Sequence, residues 1–180
     1  MLVARRRLLI GAVGGAVGCS SAGLAVAAVS ATAPVHTLSF YNIHTAEKLK
    51  VTYREQGELI PEALQEINYY LRDFRTEQAH EIDVVLLDTL HDLYRAFDER
   101  GNFEVISGYR SPRTNAALRH VTTGVAEHSL HIEGRAIDVR LTSAKTADLR
   151  DSAIALQRGG VGYYPESNFV HVDTGAFRTW

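Results

Sequence analysis

The chain has 180 residues, of which 46% are apolar and 22% are charged, and its formal net charge is −2. These values are typical of a single globular domain, which can bury a core of its own without disulfides. Residues 1–33 contain three arginines and no acidic residue, so the remainder carries 16 basic and 21 acidic residues, a net charge of −5. A body of that charge lacks the basic surface that nucleic acid requires, which excludes a nucleic-acid-binding function.

The first segment of the chain has the features of an export signal. Three adjacent arginines, Arg5 to Arg7, precede two leucines, and an apolar run rich in Gly, Ala and Val follows. A basic start, an apolar middle and a small-residue end are typical of signal peptides, and adjacent arginines before leucines resemble the twin-arginine type. We therefore expect a twin-arginine-type signal over residues 1–33, export to the periplasm and a functional domain over residues 34–180.

Two other fates of this segment stay open. Its uncharged run exceeds the ~20 residues that span a bilayer, so an uncleaved segment would anchor the protein in the membrane. Cys19, the only cysteine, follows a weak lipobox-like sequence and would be the lipidated residue of a lipoprotein. Because Cys19 precedes the domain, any metal in the domain must be held by imidazole and carboxylate groups.

The domain is predicted to begin with a β-hairpin and two helices. Alternating apolar and polar residues predict strands over residues 37–41 and 49–53. Pro61 is typical of a first helical turn. The apolar stripe that follows it at helical spacing consists of Leu64, Ile67, Leu71 and Phe74. The stripe of a second helix consists of Leu86, Leu90, Leu93 and Phe97.

The second half of the domain is predicted to be richer in strands. Alternation and β-branched residues predict strands over residues 103–107, 135–141, 161–164 and 169–173. Helices are predicted over residues 111–118 and 144–157, and an exposed loop is predicted over residues 120–127. Helices that precede most of the strands, with no repeat or linker, indicate one α+β domain with a largely antiparallel sheet packed with helices.

One stretch of the second half has the residue types and spacing of a metal site. His131 precedes Gly134, which permits a tight turn into the strand that carries Asp138. Alternation places His171 and Asp173 on one face of the last strand. If the two strands are neighbours, two imidazoles and one carboxylate converge and leave a fourth position open, as in catalytic zinc sites. The alternative is that each of these residues has a purely structural role and binds no metal.

Three ordered blocks carry a resemblance to a known family. They are Ser107-Gly-Tyr-Arg110-Ser111, Ser129-Leu-His131-Ile-Glu-Gly134-Arg-Ala136-Ile-Asp138, and Gly159 to Pro165 followed by His171-Val-Asp-Thr-Gly175. The blocks resemble those of the zinc D-Ala-D-Ala carboxypeptidases and their murein endopeptidase relatives. Residues 36–180 are similar to the periplasmic branch with the YcbK-like domain. The resemblance implies a hedgehog/DD-peptidase-like α+β fold and a Zn2+ ion held by His131, Asp138 and His171.

The resemblance also implies the chemistry. We expect a zinc metallopeptidase that hydrolyses amide bonds in peptidoglycan cross-links, with peptidoglycan peptides as its partner. Arg110 matches an arginine that stabilises the developing oxyanion or binds a substrate carboxylate, with a structural ion pair as the alternative. Three other functions stay open: a catalytically silent zinc-containing module that binds the wall, a carboxypeptidase that trims stem peptides, and an exported scaffold without metal.

The position of the general base, which accepts a proton from the attacking water, differs from the family pattern. Relatives place an acidic general base three residues before the last zinc ligand, where this chain has Asn168, and an amide cannot accept that proton. Asp173 is the nearest substitute, either as the base or as a partner that orients His171. Glu127 and His128 are further candidates in the predicted loop. The histidines that fit no ligand spacing are interpreted as surface residues, and they are His36, His44, His80, His91 and His120.

Overall fold

The computed structural model describes residues 34–121 and 126–180. The predicted signal segment, with the arginine triplet and Cys19, lies outside the described residues, as do residues 122–125 of the predicted loop. Within the described ranges, no helix combines the length and the apolarity that crossing a lipid bilayer demands.

A single sheet of eight strands forms the framework of the domain. Its strands are β1 (Val35–Asn42), β2 (Lys48–Glu55), β3 (Glu58–Leu59), β4 (Phe103–Ser107), β5 (Ala136–Leu141), β6 (Gly160–Tyr164), β7 (Phe169–Asp173) and β8 (Arg178–Thr179). Their spatial order is β3-β2-β1-β4-β5-β7-β6-β8. The pairs β1–β4 and β6–β8 are parallel, and the other neighbouring strands of this sheet are antiparallel.

The helices cover the sheet and close the core. They are α1 (Pro61–Tyr70), α2 (Val84–Ala96), α3 (Pro112–Val121) and α4 (Thr146–Leu156), with a short 3₁₀ turn at Leu130–Glu133. Helix α1 packs on β2, α2 on β1, and α4 on β5, β6 and β7, while α2 and α4 also touch each other and so share one face. The predicted α+β class with a largely antiparallel sheet is confirmed, in agreement with the peptidase-like fold that the resemblance implied.

Alternation along β5 and β7 separates a core face from a polar face. The core residues of the two strands are Ile137, Val139, Leu141, Val170 and Val172. The residues between them, Asp138 on β5 and His171 on β7, therefore point to the opposite face of the sheet. The sheet thus holds the apolar core on one side and presents the polar groups on the other.

Most predicted elements are confirmed, and the differences lie at the ends of elements. Helix α1 begins at Pro61 as predicted but ends at Tyr70, so Phe74 lies in the loop beyond it. Helix α3 continues through His120 and Val121, which were predicted to be loop. Strands β3 and β8 were not predicted, because a strand of two residues is too short to show alternation.

One histidine interpreted as a surface residue is buried. His91 of α2 is 3% exposed, and its ring stacks on that of His36 with 4.2 Å between the centroids. It follows Leu90 of the predicted stripe, at the edge of the helix face that β1 covers. Burial lowers the pKa of His91, and its Nδ1 lies 3.4 Å from the carbonyl oxygen of Thr37 in β1.

A buried carboxylate ties the loop after α1 to the start of α3. Asp73 is 2% exposed and accepts hydrogen bonds from the backbone N–H and the hydroxyl of Ser111, at 2.9 and 2.6 Å. Its other oxygen accepts the backbone N–H of Arg75 at 3.0 Å. Burial opposes ionisation, but the hydrogen bonds from Ser111, Thr114 and these backbone groups lower the pKa of Asp73 to about 2.

Replacing Asp73 with asparagine should lower the free energy of unfolding at neutral pH by about 1–3 kcal/mol, because the amide nitrogen would face a hydrogen-bond donor of Ser111 or Arg75. Folding lowers the pKa of this carboxyl, so its contribution is present above about pH 4 and is lost as the pH falls toward about 2. Urea denaturation across that range should show the deficit of the variant shrinking with acid.

The control for this prediction is Asp98→Asn. Asp98 is exposed and has a left-handed backbone conformation, φ 58°, which asparagine also tolerates. Its unfolding free energy should stay within about 0.5 kcal/mol of the native value. A deficit of Asp73→Asn that is equal at acid and neutral pH would contradict the ionised, hydrogen-bonded state of Asp73.

Candidate metal centre

Strand pairing brings the three predicted metal ligands together. Strands β5 and β7 are antiparallel neighbours, and Asp138 pairs directly with His171 in their register. His131 reaches the same point from the 3₁₀ turn that precedes β5. One ligand atom from each of the three side chains lies within 4.8 Å of the other two. The sequence-based prediction required these two strands to be neighbours, and they are.

Gly134 shapes the turn that directs His131 toward Asp138. It ends the 3₁₀ turn in the left-handed region, with φ 68°, and the next N–H, of Arg135, donates to the carbonyl of Leu130 at 2.9 Å. A Cβ atom on residue 134 would lie 2.0 Å from the carbonyl oxygen of Glu81. Only glycine satisfies both this close approach and the positive φ.

His131 is held as a neutral imidazole with one free nitrogen. It is 2% exposed, and its Nδ1 lies 2.8 Å from the carbonyl oxygen of Gly108, which can only accept, so Nδ1 carries the proton. Burial lowers the pKa of His131, which keeps the ring neutral. Its Nε2 therefore presents a lone pair, 3.3 Å from both Asp138 Oδ1 and His171 Nδ1.

His171 is held through the opposite nitrogen. Its Nε2 donates to Oδ2 of Asp173 at 2.9 Å, and its Nδ1 lies 2.9 Å from Oδ1 of Asp138. Burial alone would lower the pKa of His171, but the hydrogen bonds to Asp138 and Asp173 raise it. The surroundings thus favour a positive charge between His171 and Asp138. A divalent cation held by these residues would supply that charge in place of the second ring proton.

Asp138 completes the ligand set as an ionised carboxylate. Its Oδ2 accepts a hydrogen bond from Arg110, and its Oδ1 faces the two histidines. Burial opposes ionisation, but His131, His171 and Arg110 hold the pKa of Asp138 well below its usual range. Two imidazole nitrogens and one carboxylate oxygen are a donor set that could hold a metal ion, and this set is common in catalytic zinc sites. The residues present therefore fit a divalent metal ion.

The carboxylate of Asp173 is engaged entirely by protein groups. Its side chain is fully buried, and its Oδ2 accepts from His171 Nε2 at 2.9 Å and from Arg178 at 2.7 Å. Its Oδ1 accepts the backbone N–H groups of Gly160 and Gly175, at 3.0 and 2.8 Å. Burial opposes ionisation, but these bonds hold the pKa of Asp173 below its usual range. Both oxygens are therefore committed to neighbours.

The other predicted candidates for proton transfer lie in different places. Asn168 is bonded through its side-chain oxygen to the hydroxyl of Thr146 at the start of α4. Glu127 pairs with Arg119 of α3 at 3.3 Å. His128 lines the cleft above the three metal-ligand candidates. Of these candidates among the described residues, only His128 borders the cleft.

The three ligand candidates lie in a cleft with a volume of about 690 Å³. Trp180 forms part of its wall: the indole lies 5.2 Å from the ring of His171, and its Nε1 donates to the hydroxyl of Tyr164 at 2.8 Å. His44 and Arg75 border the cleft from the first half of the chain. Sequence reasoning missed all three of these wall residues. His44 and Arg75 are distant along the chain from the ligand candidates, and Trp180 shares no spacing with them.

The fold and the geometry of the ligand candidates are consistent with the class that the motifs resembled, the D-Ala-D-Ala carboxypeptidases and murein endopeptidases. Comparison with known proteins narrows this class. Residues 30–180 match the peptidase family M15_2, described as "Peptidoglycan L,D-endopeptidase MepK". The chain belongs to this family.

Relatives align with nearly the whole chain. A Haemophilus influenzae protein named "Probable peptidoglycan L,D-endopeptidase MepK" is 40% identical over 177 residues, which cover 98% of this chain and 94% of that protein. An Escherichia coli K12 protein named "Peptidoglycan L,D-endopeptidase MepK" is 37% identical over 177 residues, which cover 98% of this chain and 97% of that protein. No solved structure matches the chain. The family resemblance inferred from the three sequence blocks is confirmed.

If the three candidates hold a divalent metal ion such as Zn2+, replacing Gly134 with alanine should weaken its binding by roughly tenfold or more, because the added Cβ would displace the turn that directs His131. Competition with a chromophoric chelator measures this affinity. Gly57→Ala is a matched control, because Gly57 also has a positive φ, 84°, but its Cβ would meet no atom within 4 Å. The control should keep the native affinity, and an unchanged affinity in Gly134→Ala would refute the role of this turn.

Proposed function

We propose that this protein is an exported, zinc-dependent peptidoglycan endopeptidase that hydrolyses amide bonds in the cross-links between stem peptides. The observation that carries the proposal is the convergence of His131 Nε2, His171 Nδ1 and Asp138 Oδ1 in the cleft of a MepK family member. The names of the relatives support peptidoglycan as the substrate. The arginine-led segment over residues 1–33 supports a twin-arginine-type export signal, which would leave residues 34–180 as the peptidase domain outside the cytoplasmic membrane.

Zinc is the metal that this donor set favours. Two imidazoles and one carboxylate, without a thiolate, match the ligands of catalytic zinc sites. Bound zinc supplies Lewis-acid activation of a water molecule and of the scissile carbonyl. Hydrogen bonds within the chain orient the two imidazole rings. The carbonyl of Gly108 accepts from His131, and the carboxylate of Asp173 accepts from His171.

We assign to Arg110 the binding of the substrate carbonyl as its negative charge develops. Its Nε donates to Oγ of Ser107 at 2.7 Å, and one terminal nitrogen donates to Asp138. A guanidinium has five N–H donors, so these two contacts leave donors available for a substrate oxygen. The ion pair with Asp138 supports this role, since it holds the guanidinium at the border of the cleft.

For Asp173, the contacts favour orientation of His171 over proton transfer. A general base needs an oxygen that can reach the attacking water, whereas both oxygens of Asp173 are bonded to His171, Arg178 and two backbone N–H groups. We assign to Asp173 the task of keeping a proton on Nε2 of His171, so that Nδ1 stays free. His128 is then the candidate for proton transfer that borders the cleft.

Replacing His131 with alanine should abolish the release of soluble muropeptides from purified peptidoglycan, because one of three metal ligands is lost. Mass spectrometry of the products measures the release and also identifies the bond, since an endopeptidase splits cross-links whereas a carboxypeptidase releases single terminal residues. His120→Ala, an exposed residue of α3, is the control and should behave as the native protein. Equal release by native protein and His131→Ala would contradict the proposal, and wall binding without release would indicate the silent module.

Replacing Asp173 with asparagine separates the two roles of this residue. If Asp173 orients His171, the variant should bind zinc about 10–100-fold more weakly and recover activity in excess zinc. If Asp173 is the base, activity at saturating zinc should fall by at least ~100-fold with little change in zinc affinity. Zinc titrations followed by activity measurements at saturating zinc decide between them, and we expect the first result.

A further inference from the structure

Arg75 differs from the other arginines that border the cleft. Three of the cleft-lining residues in the described ranges are arginines, and two of them are paired, Arg110 with Asp138 and Arg178 with Asp173. Arg75 is exposed, and its guanidinium has no ion pair with any residue in ranges 34–121 and 126–180. Its positive charge is thus available to a bound molecule.

An aromatic pair supports the guanidinium of Arg75. Its Cζ lies 4.2 Å from the ring centroid of Phe74, and the ring of Phe74 stacks on that of His44 with 4.0 Å between centroids and 13° between planes. Nε2 of His44 donates to the carbonyl of Ile106 at 3.0 Å, which ties the stack to β4. A guanidinium stacked on a ring keeps its in-plane N–H donors free for a planar anion.

The loop that carries Arg75 is anchored beside the catalytic segment. The buried carboxylate of Asp73 accepts the backbone N–H of Arg75 and both donors of Ser111. The carbonyl of Asp73 accepts the N–H groups of Thr76 and Glu77, at 3.1 and 2.7 Å. Because Ser111 directly follows Arg110 in the chain, the loop and the segment that carries Arg110 are held in one arrangement. The backbone that carries Arg75 is therefore already ordered before a ligand binds, which lowers the entropic cost of binding.

We propose that Arg75 binds a free carboxylate of the peptide substrate, so that the protein prefers stem peptides in which this carboxylate is not amidated. This inference rests on the proposed function, because peptidoglycan stem peptides carry free carboxylates apart from the bond that is cut. A planar guanidinium pairs with a carboxylate through two parallel hydrogen bonds, which a carboxamide cannot reproduce. Arg75 and the metal-ligand candidates line the same cleft, so one bound peptide can contact both.

Binding of a peptide without a cross-link tests this proposal independently of cleavage. The probe is L-alanyl-γ-D-glutamyl-meso-diaminopimelate, together with forms in which each carboxylate in turn is a carboxamide. Calorimetry with the zinc-loaded full chain should show that one amidated form binds roughly tenfold more weakly than the acid. Arg75→Gln should bind the acid roughly tenfold more weakly than native protein and should no longer distinguish that pair. Arg75→Lys, which keeps the charge but loses the fork, should fall between them.

Arg113→Gln is the matched control, since Arg113 is an exposed arginine of α3 outside the cleft lining. Arg113→Gln should bind the acid form of the peptide with native affinity and should keep the native preference for the acid over the amidated form. With cross-linked muropeptides, Arg75→Gln should raise KM by a similar factor and change kcat by less than about threefold, as expected for a contact made equally in the ground and transition states.

Native affinity and native preference in Arg75→Gln would overturn the inference. Failure of the native protein to cleave cross-links would count against the proposed function instead, while the binding comparison would still decide the role of Arg75.

Discussion

The pairing of β5 with β7 is the constraint on which the rest of the site depends. In their register Ile137 lies opposite Val172 and Asp138 opposite His171, so one alignment satisfies both the core and the cleft. A slip of β7 by one residue would turn Val170 and Val172 toward the cleft and His171 toward the core. Burial of the core therefore stabilises the same register that assembles the candidate metal centre, and the site is preorganised by folding.

The charged groups of the centre are compatible with burial because each has a partner of opposite charge or a hydrogen bond. Asp138 faces Arg110 on one side and the two imidazoles on the other, and Asp173 faces Arg178 and His171. Without such partners, the free-energy cost of removing these carboxylates from water would exceed the stabilisation that the folded protein could provide. The outer contacts also select one nitrogen of each imidazole, because a carbonyl fixes His131 and a carboxylate fixes His171. The same contacts thus orient the ligand candidates and stabilise their charges in the protein interior.

The candidate metal ligands and the groups proposed to bind the substrate lie in separate parts of this chain. Asp138 and His171 lie on the sheet and His131 lies on the 3₁₀ turn before β5. Asn168, at the position where the family resemblance implied an acid, bonds to Thr146 of α4. The loop around Asp73 brings a second group of residues to the cleft, with Arg75 supported by Phe74 and His44. Metal-ligand candidates on strands and an adjoining turn, with proposed substrate-binding groups on anchored loops, are the arrangement expected of a scaffold that would hold both a metal and a peptide.

The sequence by itself determined the strands over residues 135–141 and 169–173, the turn at Gly134 and the ligand types, because periodicity and residue chemistry are local properties. Motif blocks added the family, which the comparisons confirm. Only the tertiary structure decided that β5 and β7 are neighbours, that Arg178 and two backbone N–H groups surround Asp173, and that Arg75 borders the cleft. The pairing of β5 with β7 and the approach of Arg75 to the cleft join residues that are distant along the chain. The contacts of Asp173 with Gly175 and Arg178 are close in sequence, but they depend on the path of the turn after β7. Neither the packing of distant elements nor the path of that turn leaves a pattern in the local sequence.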